Sequence, residues 1–180
     1  MGKKALVTYA SKYGATKEIA EKIAHLLRQS GLSVDVSPCR KAAGPASYDA
    51  VILGSAVYFG GWRRKAVEFL EAWEKVPSPP PLWLFFSGPS GKGDPKAQAM
   101  NGQGIPERRR PLIERIKPRD IAFFHGKVDP AALNFIERWA LKNVKAPAGD
   151  FRDWDAIASW TGSIAKALAG IDSSIKGDMK

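Results

Sequence analysis

The sequence predicts an α/β domain in which a parallel sheet lies between two layers of helices. Three observations carry that expectation. Short β-rich runs alternate with longer segments of helical period, the pattern of strand–helix units joined by right-handed crossovers. Two of the runs, Ala50-Val51-Ile52-Leu53-Gly54 and Leu82-Trp83-Leu84-Phe85-Phe86, are almost continuously apolar, as strands buried on both faces are. The chain has 180 residues, 44% of them hydrophobic, which suits one domain with a sizeable core, and no repeat or low-complexity linker divides it. A single domain over residues 1–180 is therefore expected.

Taken in order, the first strand is predicted at 5–9 and the first helix at 16–29. In that helix Ile19, Ile23, Leu26 and Leu27 share one face, and Gly31 supplies the stop. Strands at 33–37 and 50–54 come next, followed by a helix at 64–74. Pro77-Ser78-Pro79-Pro80-Pro81 reads as a stiff connector into the fourth strand at 82–86, not as a domain boundary. A helix at 107–116, a fifth strand at 121–124 and helices at 129–144 and 153–169 complete the order.

Charge narrows the partners. Lys and Arg number 28 against 18 Asp and Glu, a formal charge of +10, so the surface attracts acidic partners. The basic residues concentrate at Arg63-Arg64-Lys65 and from Arg108-Arg109-Arg110 to Arg119. No recognition motif accompanies them, and nucleic acid is not an expected partner. No apolar run reaches the roughly 18 residues of a transmembrane helix. Strand-like sequence begins at Lys3, so no secretory leader is expected, and Leu6 breaks the myristoylation pattern that Met1-Gly2 would open. The single cysteine, Cys39, excludes an internal disulfide and fits a reducing cytoplasm. With no histidine near it in sequence, it is expected to be an ordinary small residue and not a nucleophile. No Cys/His metal spacing, serine triad or paired carboxylates stand out; no metal site is expected and no catalytic side chain is singled out.

In an open parallel sheet, ligands lie beyond the carboxyl ends of the strands, where the strand order reverses. Three loops meet that condition. The first, Ser11, Lys12, Tyr13, Gly14, Ala15 and Thr16, runs into a helix start whose free N–H groups and dipole favour an anion. Ser11 and Thr16 add hydroxyls, and Gly14 lets the backbone approach a phosphate. The spacing is neither Gly-Lys-Ser/Thr nor GxGxxG, which argues against nucleoside triphosphates and dinucleotides. The second loop holds Ala56, Val57, Tyr58, Phe59, Gly60, Gly61 and Trp62. Its three aromatics are expected to be partly exposed and suit a flat conjugated ring, while the glycines allow close approach. The third, Ser87, Gly88, Pro89, Ser90 and Gly91, is rich in backbone donors, with Lys92 next to it. Together the loops favour a planar ligand carrying one phosphate, which describes FMN.

These residues resemble the flavodoxin-like superfamily, whose phosphate loop reads Ser/Thr-x-Thr-Gly-x-Thr. Ser11, Gly14 and Thr16 match it; Tyr13 stands in place of threonine and removes one expected phosphate hydroxyl. The resemblance implies a three-layer sandwich with five parallel strands in the order 2-1-3-4-5 and FMN at the strand ends. A more specific similarity is to the flavodoxin-domain branch that contains menaquinone-dependent protoporphyrinogen IX dehydrogenases. It rests on "YASKYGATKEIAEKIA", on "YDAVILGSAVYFGGWRRKAVEFL" and on the ending "GDFRDWDAIASW", and it covers nearly the whole chain. That similarity implies an FMN-dependent oxidoreductase passing electrons from a reduced substrate, such as a porphyrinogen, to a quinone. Two other readings stay open: a flavodoxin-type carrier with a protein redox partner, and a flavin-binding regulatory module.

Soluble flavodoxin carriers are typically acidic, and this chain departs from them. Its charge fits an anionic membrane surface or a carboxylate-bearing substrate. The segment 129–145 is amphipathic: Leu133, Ile136, Trp139, Ala140 and Val144 share a face, Arg138, Lys142 and Lys145 lie opposite, and Phe135 stands beside them. It either docks on the core, the plainer expectation, or touches a membrane or covers the ligand mouth. A cytoplasmic place is expected, and the second alternative would make it peripheral, at the inner face of the cell membrane. His25 is expected at the surface late in the first helix, and His125 is expected to be structural. Flavin chemistry needs no protein nucleophile, because the cofactor carries the electrons.

Overall fold

The computed structural model of the chain describes residues 3–58, 60–88, 93–98, 105–143 and 147–177. Its strands are β1 (Lys4–Ala10), β2 (Ser33–Pro38), β3 (Ala50–Tyr58), β4 (Gly61–Trp62), β5 (Leu82–Ser87), β6 (Asp120–Phe124), β7 (Lys127–Val128) and β8 (Gly149–Asp150). The helices are α1 (Ala15–Gln29), α2 (Arg64–Glu74), α3 (Pro95–Gln98), α4 (Arg110–Ile116), α5 (Phe135–Asn143) and α6 (Trp154–Gly177). The main sheet runs β2-β1-β3-β5-β6, every neighbour parallel, which is the expected 2-1-3-4-5 order. A short β4 turns back antiparallel on β3, and β7 pairs with β8 in a separate ribbon. Neither of these small additions was expected from the sequence. Strands this short carry too few residues for an alternation of apolar and polar positions to register.

Side-chain alternation along the sheet divides the core in two. Ala5 and Val7 of β1, with Ile52 and Phe85, face Ile19, Ala20, Ile23, Ala24 and Leu27 of α1 and Ile157, Ile164 and Leu168 of α6. Leu6 and Ala10, with Val51, Leu53 and Leu84, face Ala66, Leu70 and Trp73 of α2 and Leu112 and Ile116 of α4. The apolar face of α1 is therefore as predicted except at Leu26, which is half-buried while Ala20 and Ala24 sit fully inside. Gly31 ends that helix at φ +89, and Leu32 N–H donates to the Leu27 carbonyl at 3.2 Å. On β3, Gly54 lies beside Phe85 of β5, and its missing side chain is where the ring goes.

Three helix boundaries differ from expectation. The helix at 107–116 opens as a 3-10 turn at Glu107–Arg109 and becomes α4 only at Arg110, with Pro111 in its first turn. The helix expected from 129 begins at Phe135, because Asp129 folds its own turn: its carboxylate accepts from Ala131 N–H at 2.9 Å and its carbonyl from Ala132 N–H at 3.1 Å. Third, α6 runs on past 169 to Gly177. The plainer expectation for the amphipathic segment also fails. On α5, Phe135, Ile136 and Trp139 are 83%, 74% and 64% exposed, so these three apolar side chains do not dock on the core. The side chains of Ala140 and Lys142, and residues Val144 and Lys145, lie outside the described residues.

Much of the basic surface is matched by acids. Arg109 meets Glu71 at 3.5 Å, Arg115 grips Glu74 through two nitrogens, and Arg64 and Lys65 share Glu68. These exposed pairs join α4 to α2 or lie within one helix; each is of small energetic worth. No described helix is long and apolar enough to cross a membrane.

Candidate FMN site at the strand ends

The first loop folds back on itself. Ser11 Oγ accepts from Gly14 N–H at 3.0 Å, and Gly14 takes φ +92, a conformation only glycine holds without strain. A Cβ at Gly14 would meet only Glu18 Oε1, at 3.9 Å, so glycine is there for its dihedral and not for space. Gly14 is the N-cap of α1, and no side chain caps the helix, whose first-turn N–H groups are left for an anion. Thr16 is placed differently from the expected phosphate hydroxyl. It is 1% exposed, and its Oγ1 lies 2.7 Å from Ser87 Oγ, itself buried. The pair ties the first loop to the third.

The second loop is the β3–β4 hairpin, with Tyr58 paired to Gly61, Val57 to Trp62, and Gly60 at φ +70 in the turn. Ala56 is buried and Val57 half-buried at the end of β3. Ser55 Oγ accepts from Arg63 N–H at 3.1 Å and donates to the Ala56 carbonyl, fixing where α2 begins. Trp62 is not the partly exposed aromatic that the sequence suggested. The antiparallel return turns it inward, 8% exposed, to stack on Phe86 at 4.5 Å, and Phe86 stacks on Phe123 at 5.5 Å. Tyr58 is half-buried, meets Tyr13 edge-on at 6.1 Å and has the Arg63 guanidinium over its ring. Tyr13, the departure from the phosphate motif, thus joins the first loop to the second, with Lys12 Nζ 5.1 Å from its ring.

At the third loop, Ser87 is followed by Gly88, where a Cβ would stand 2.7 Å from the Val57 carbonyl. The chain can pass the end of β3 only because this residue is bare. Phe59, Pro89, Ser90, Gly91 and Lys92 lie outside the described residues. His125, buried after β6, brings Nε2 to 2.8 Å from the Gly93 carbonyl, a role in holding the loop's far side. His25 is exposed. Burial pushes the Cys39 thiol up to about 11, outweighing the Thr8 hydroxyl that donates to its sulfur at 3.6 Å and favours the thiolate, so a reactive thiolate is not formed near neutral pH.

One group near the site went unmarked in the sequence. Arg152, on the segment after β8, donates to Glu18 of α1 at 2.6 Å and to both carboxylate oxygens of Asp150. Its side chain is 4% exposed and packs over Trp154 at 4.6 Å. Hydrogen bonding from Arg152 holds the Asp150 carboxyl below its ordinary range, and Asp150, then Glu18, raise the Arg152 guanidinium. The Asp150 contribution to stability is present above the ordinary aspartate range and is lost as pH falls through the depressed value. "GDFRDW" carried the signal, a basic residue between two aspartates, but nothing in it pointed across to α1.

The geometry fits a planar group with one phosphate. An uncapped helix start leaves N–H donors that would suit a phosphate, and Gly88 and the hairpin glycines keep backbone close at the strand ends. Tyr58 and Tyr13 stand beside them. Ser11, Gly14, Ala15 and Thr16 would hold the phosphate through backbone donors, and Tyr58, Gly60, Gly61, Ser87 and Gly88 would border the ring.

Known proteins share the fold. The curated protoporphyrinogen IX dehydrogenase [quinone] of Escherichia coli (strain K12) is 21% identical over 174 residues, 90% of this chain and 94% of that protein. A flavodoxin from the domain Archaea superposes with a TM-score of 0.59 at 14% identity, covering 92% of this chain and 99% of that one. Rubredoxin oxygen:oxidoreductase of the anaerobe Desulfovibrio gigas gives 0.60 at 16% identity; 93% of this chain is covered, but only 36% of that longer chain. The family model described as "Flavodoxin domain" matches residues 6–155. The chain belongs to the flavodoxin domain family, whose cofactor is FMN.

Proposed function

We propose that the protein is an FMN-dependent oxidoreductase of the protoporphyrinogen dehydrogenase type, moving electrons from a reduced substrate to a quinone. The supporting observation is the extent of the likeness to the Escherichia coli enzyme, which covers 90% of this chain and 94% of that protein. FMN supplies the electron-accepting ring. The residues of this chain supply position: the α1 start holds the phosphate, the Tyr13–Tyr58 contact orients the loops around the ring, and the buried Thr16–Ser87 pair fixes their spacing. A carrier function with a protein redox partner is the competing reading. Its support is the set of flavodoxins that share the fold over nearly their whole length.

Reconstitution with FMN followed by anaerobic assay tests the proposal. Oxidation of protoporphyrinogen coupled to reduction of a menaquinone analogue is the expected result. A bound, reducible flavin with no substrate turnover would favour the carrier. The cofactor site is tested by titrating FMN against riboflavin: FMN is expected to bind more tightly by at least one charge-assisted hydrogen bond, about 1.5–3 kcal/mol. Equal affinity would remove the phosphate from the first loop.

Access to a quinone is assigned to α5. Phe135, Ile136 and Trp139 form an exposed apolar edge next to the exposed Arg138, on a chain of net charge +10. Aromatic and aliphatic side chains of this kind insert shallowly into a bilayer interface, and each cation held near an anionic leaflet adds about 1 kcal/mol. Cosedimentation with anionic vesicles is expected, weakening with salt, and Ile136→Ser with Trp139→Ser should abolish it without loss of FMN. Equal recovery with neutral vesicles, or no effect of the double variant, would remove α5 from that role.

A further inference from the structure

We propose that Arg152 is a positioning residue of the phosphate loop, acting through Glu18; the proposal rests on the phosphate being held at the start of α1. Glu18 is the acidic residue of the first turn of that helix, and its carboxylate curls back to within 3.9 Å of where a Gly14 Cβ would stand. An acid in the first turn stabilises an empty helix start, because it complements the dipole. For a helix start that must receive a phosphate, the same carboxylate is a competing negative charge. Its partner comes from far along the chain: Arg152 NH1 donates to Glu18 Oε2 at 2.6 Å across 134 residues of sequence.

The guanidinium is not a loose surface cation that happens to reach. Nε and NH2 are both committed to Asp150, the planar group stacks over Trp154, and the side chain is 4% exposed. Its backbone is fixed as well. The β7–β8 ribbon pairs Lys127 with Asp150, and Phe151 N–H donates to the Gly126 carbonyl at 3.1 Å. Gly126 in turn lies against Gly88, where a Cβ on it would be 3.5 Å from the Gly88 nitrogen. The segment from Gly149 to Trp154 therefore contacts the first turn of α1 directly and the third loop through Gly126, and Arg152 is its charged element. With Arg152 present, Glu18 is drawn to the guanidinium; without it, two carboxylates stand beside the helix start with no buried cation between them.

The effect is electrostatic and should follow the charge of the ligand. Apo-protein carrying Arg152→Met, Glu18→Gln or both is titrated with FMN and, separately, with riboflavin at low ionic strength. Arg152→Met is expected to weaken FMN by about tenfold and to leave riboflavin nearly unchanged, and added salt should shrink the difference. Adding Glu18→Gln to that variant should recover most of the lost FMN affinity. Glu18→Gln alone leaves the Arg152–Asp150 contacts in place and should tighten FMN a few-fold, which keeps the proposal testable should Arg152→Met not fold. Equal losses for FMN and riboflavin, no recovery in the double variant, or an unchanged FMN affinity in Glu18→Gln would each overturn it. Failure of the unmodified protein to bind FMN would instead overturn the cofactor reading on which it rests.

Discussion

Gly54→Ala is expected to cost the fold about 1–3 kcal/mol or more, the range of an overpacked core, and to be the most damaging added methyl among the described glycines. The added methyl would lie 2.1 Å from Phe85 Cζ and within 2.6 Å of two further ring carbons. The ring has nowhere to go. It is 0% exposed, on the neighbouring strand at the same register, and packed against Phe124 and Trp160 at centroid distances of 6.2 and 6.1 Å. Removing the ring is no remedy by itself, since Phe85→Ala should cost about 3–5 kcal/mol through lost burial and the cavity left behind. The two changes should nevertheless couple: Gly54→Ala in a Phe85→Leu background should be less damaging than in the native one. Urea unfolding of the four proteins measures this. Additive losses would mean that the ring does not lie across the glycine.

Gly88→Ala should weaken the flavin site and the fold together, by about 1–3 kcal/mol in stability. Here the obstacle is backbone, the Val57 carbonyl at 2.7 Å, with Val57 Cβ at 2.9 Å, and backbone in a parallel sheet yields poorly. Either β3 and the third loop move apart or Gly88 swings outward. Both movements pull on Ser87, whose hydroxyl holds Thr16 and with it the first loop. Affinity for FMN and for riboflavin should therefore fall alike, unlike the charge-selective effect of Arg152→Met. Flavin titration and thermal unfolding of the same sample provide the check. A normal flavin affinity in a destabilised protein would place the third loop away from the ring.

What the sequence made legible follows the length and regularity of its patterns. The five long strands and α1, α2 and α6 were visible because each repeats its apolar spacing over several turns or several residue pairs. The strand order came with the family resemblance, since spacing alone does not fix it. The turn before α1 was visible as Ser11, Gly14 and Thr16 ahead of a helical pattern. What failed was orientation. Trp62 reads as an aromatic at a strand end, and only the β4 return decides that it faces Phe86 and the core. Thr16 reads as a ligand hydroxyl, and only its place as the second residue of α1 turns it toward Ser87. The helix expected from 129 lost its first residues to the Asp129 turn, a local side-chain bond that apolar periodicity does not register. Arg152 and Glu18 could not be paired in advance, because no local pattern links residues so far apart.

The layering of the core sets an order in which this protein can be made. Half of the sheet is covered by α2 and α4, which are close in sequence to the strands that they shield. The other half needs α6, whose Ile157, Ile164 and Leu168 complete the cover over Val7, Ile52 and Phe85. A chain emerging from the ribosome amino end first can therefore assemble one finished face while the opposite one still presents bare apolar strand. The lining of α1 alone does not span it. Sealing waits for the last helix, and until then the nascent domain is a client for chaperones and a template for aggregation. Docking of α6 closes that face, and an apolar-to-polar change at Ile164 should raise misfolded yield during synthesis more than it slows the finished protein's chemistry.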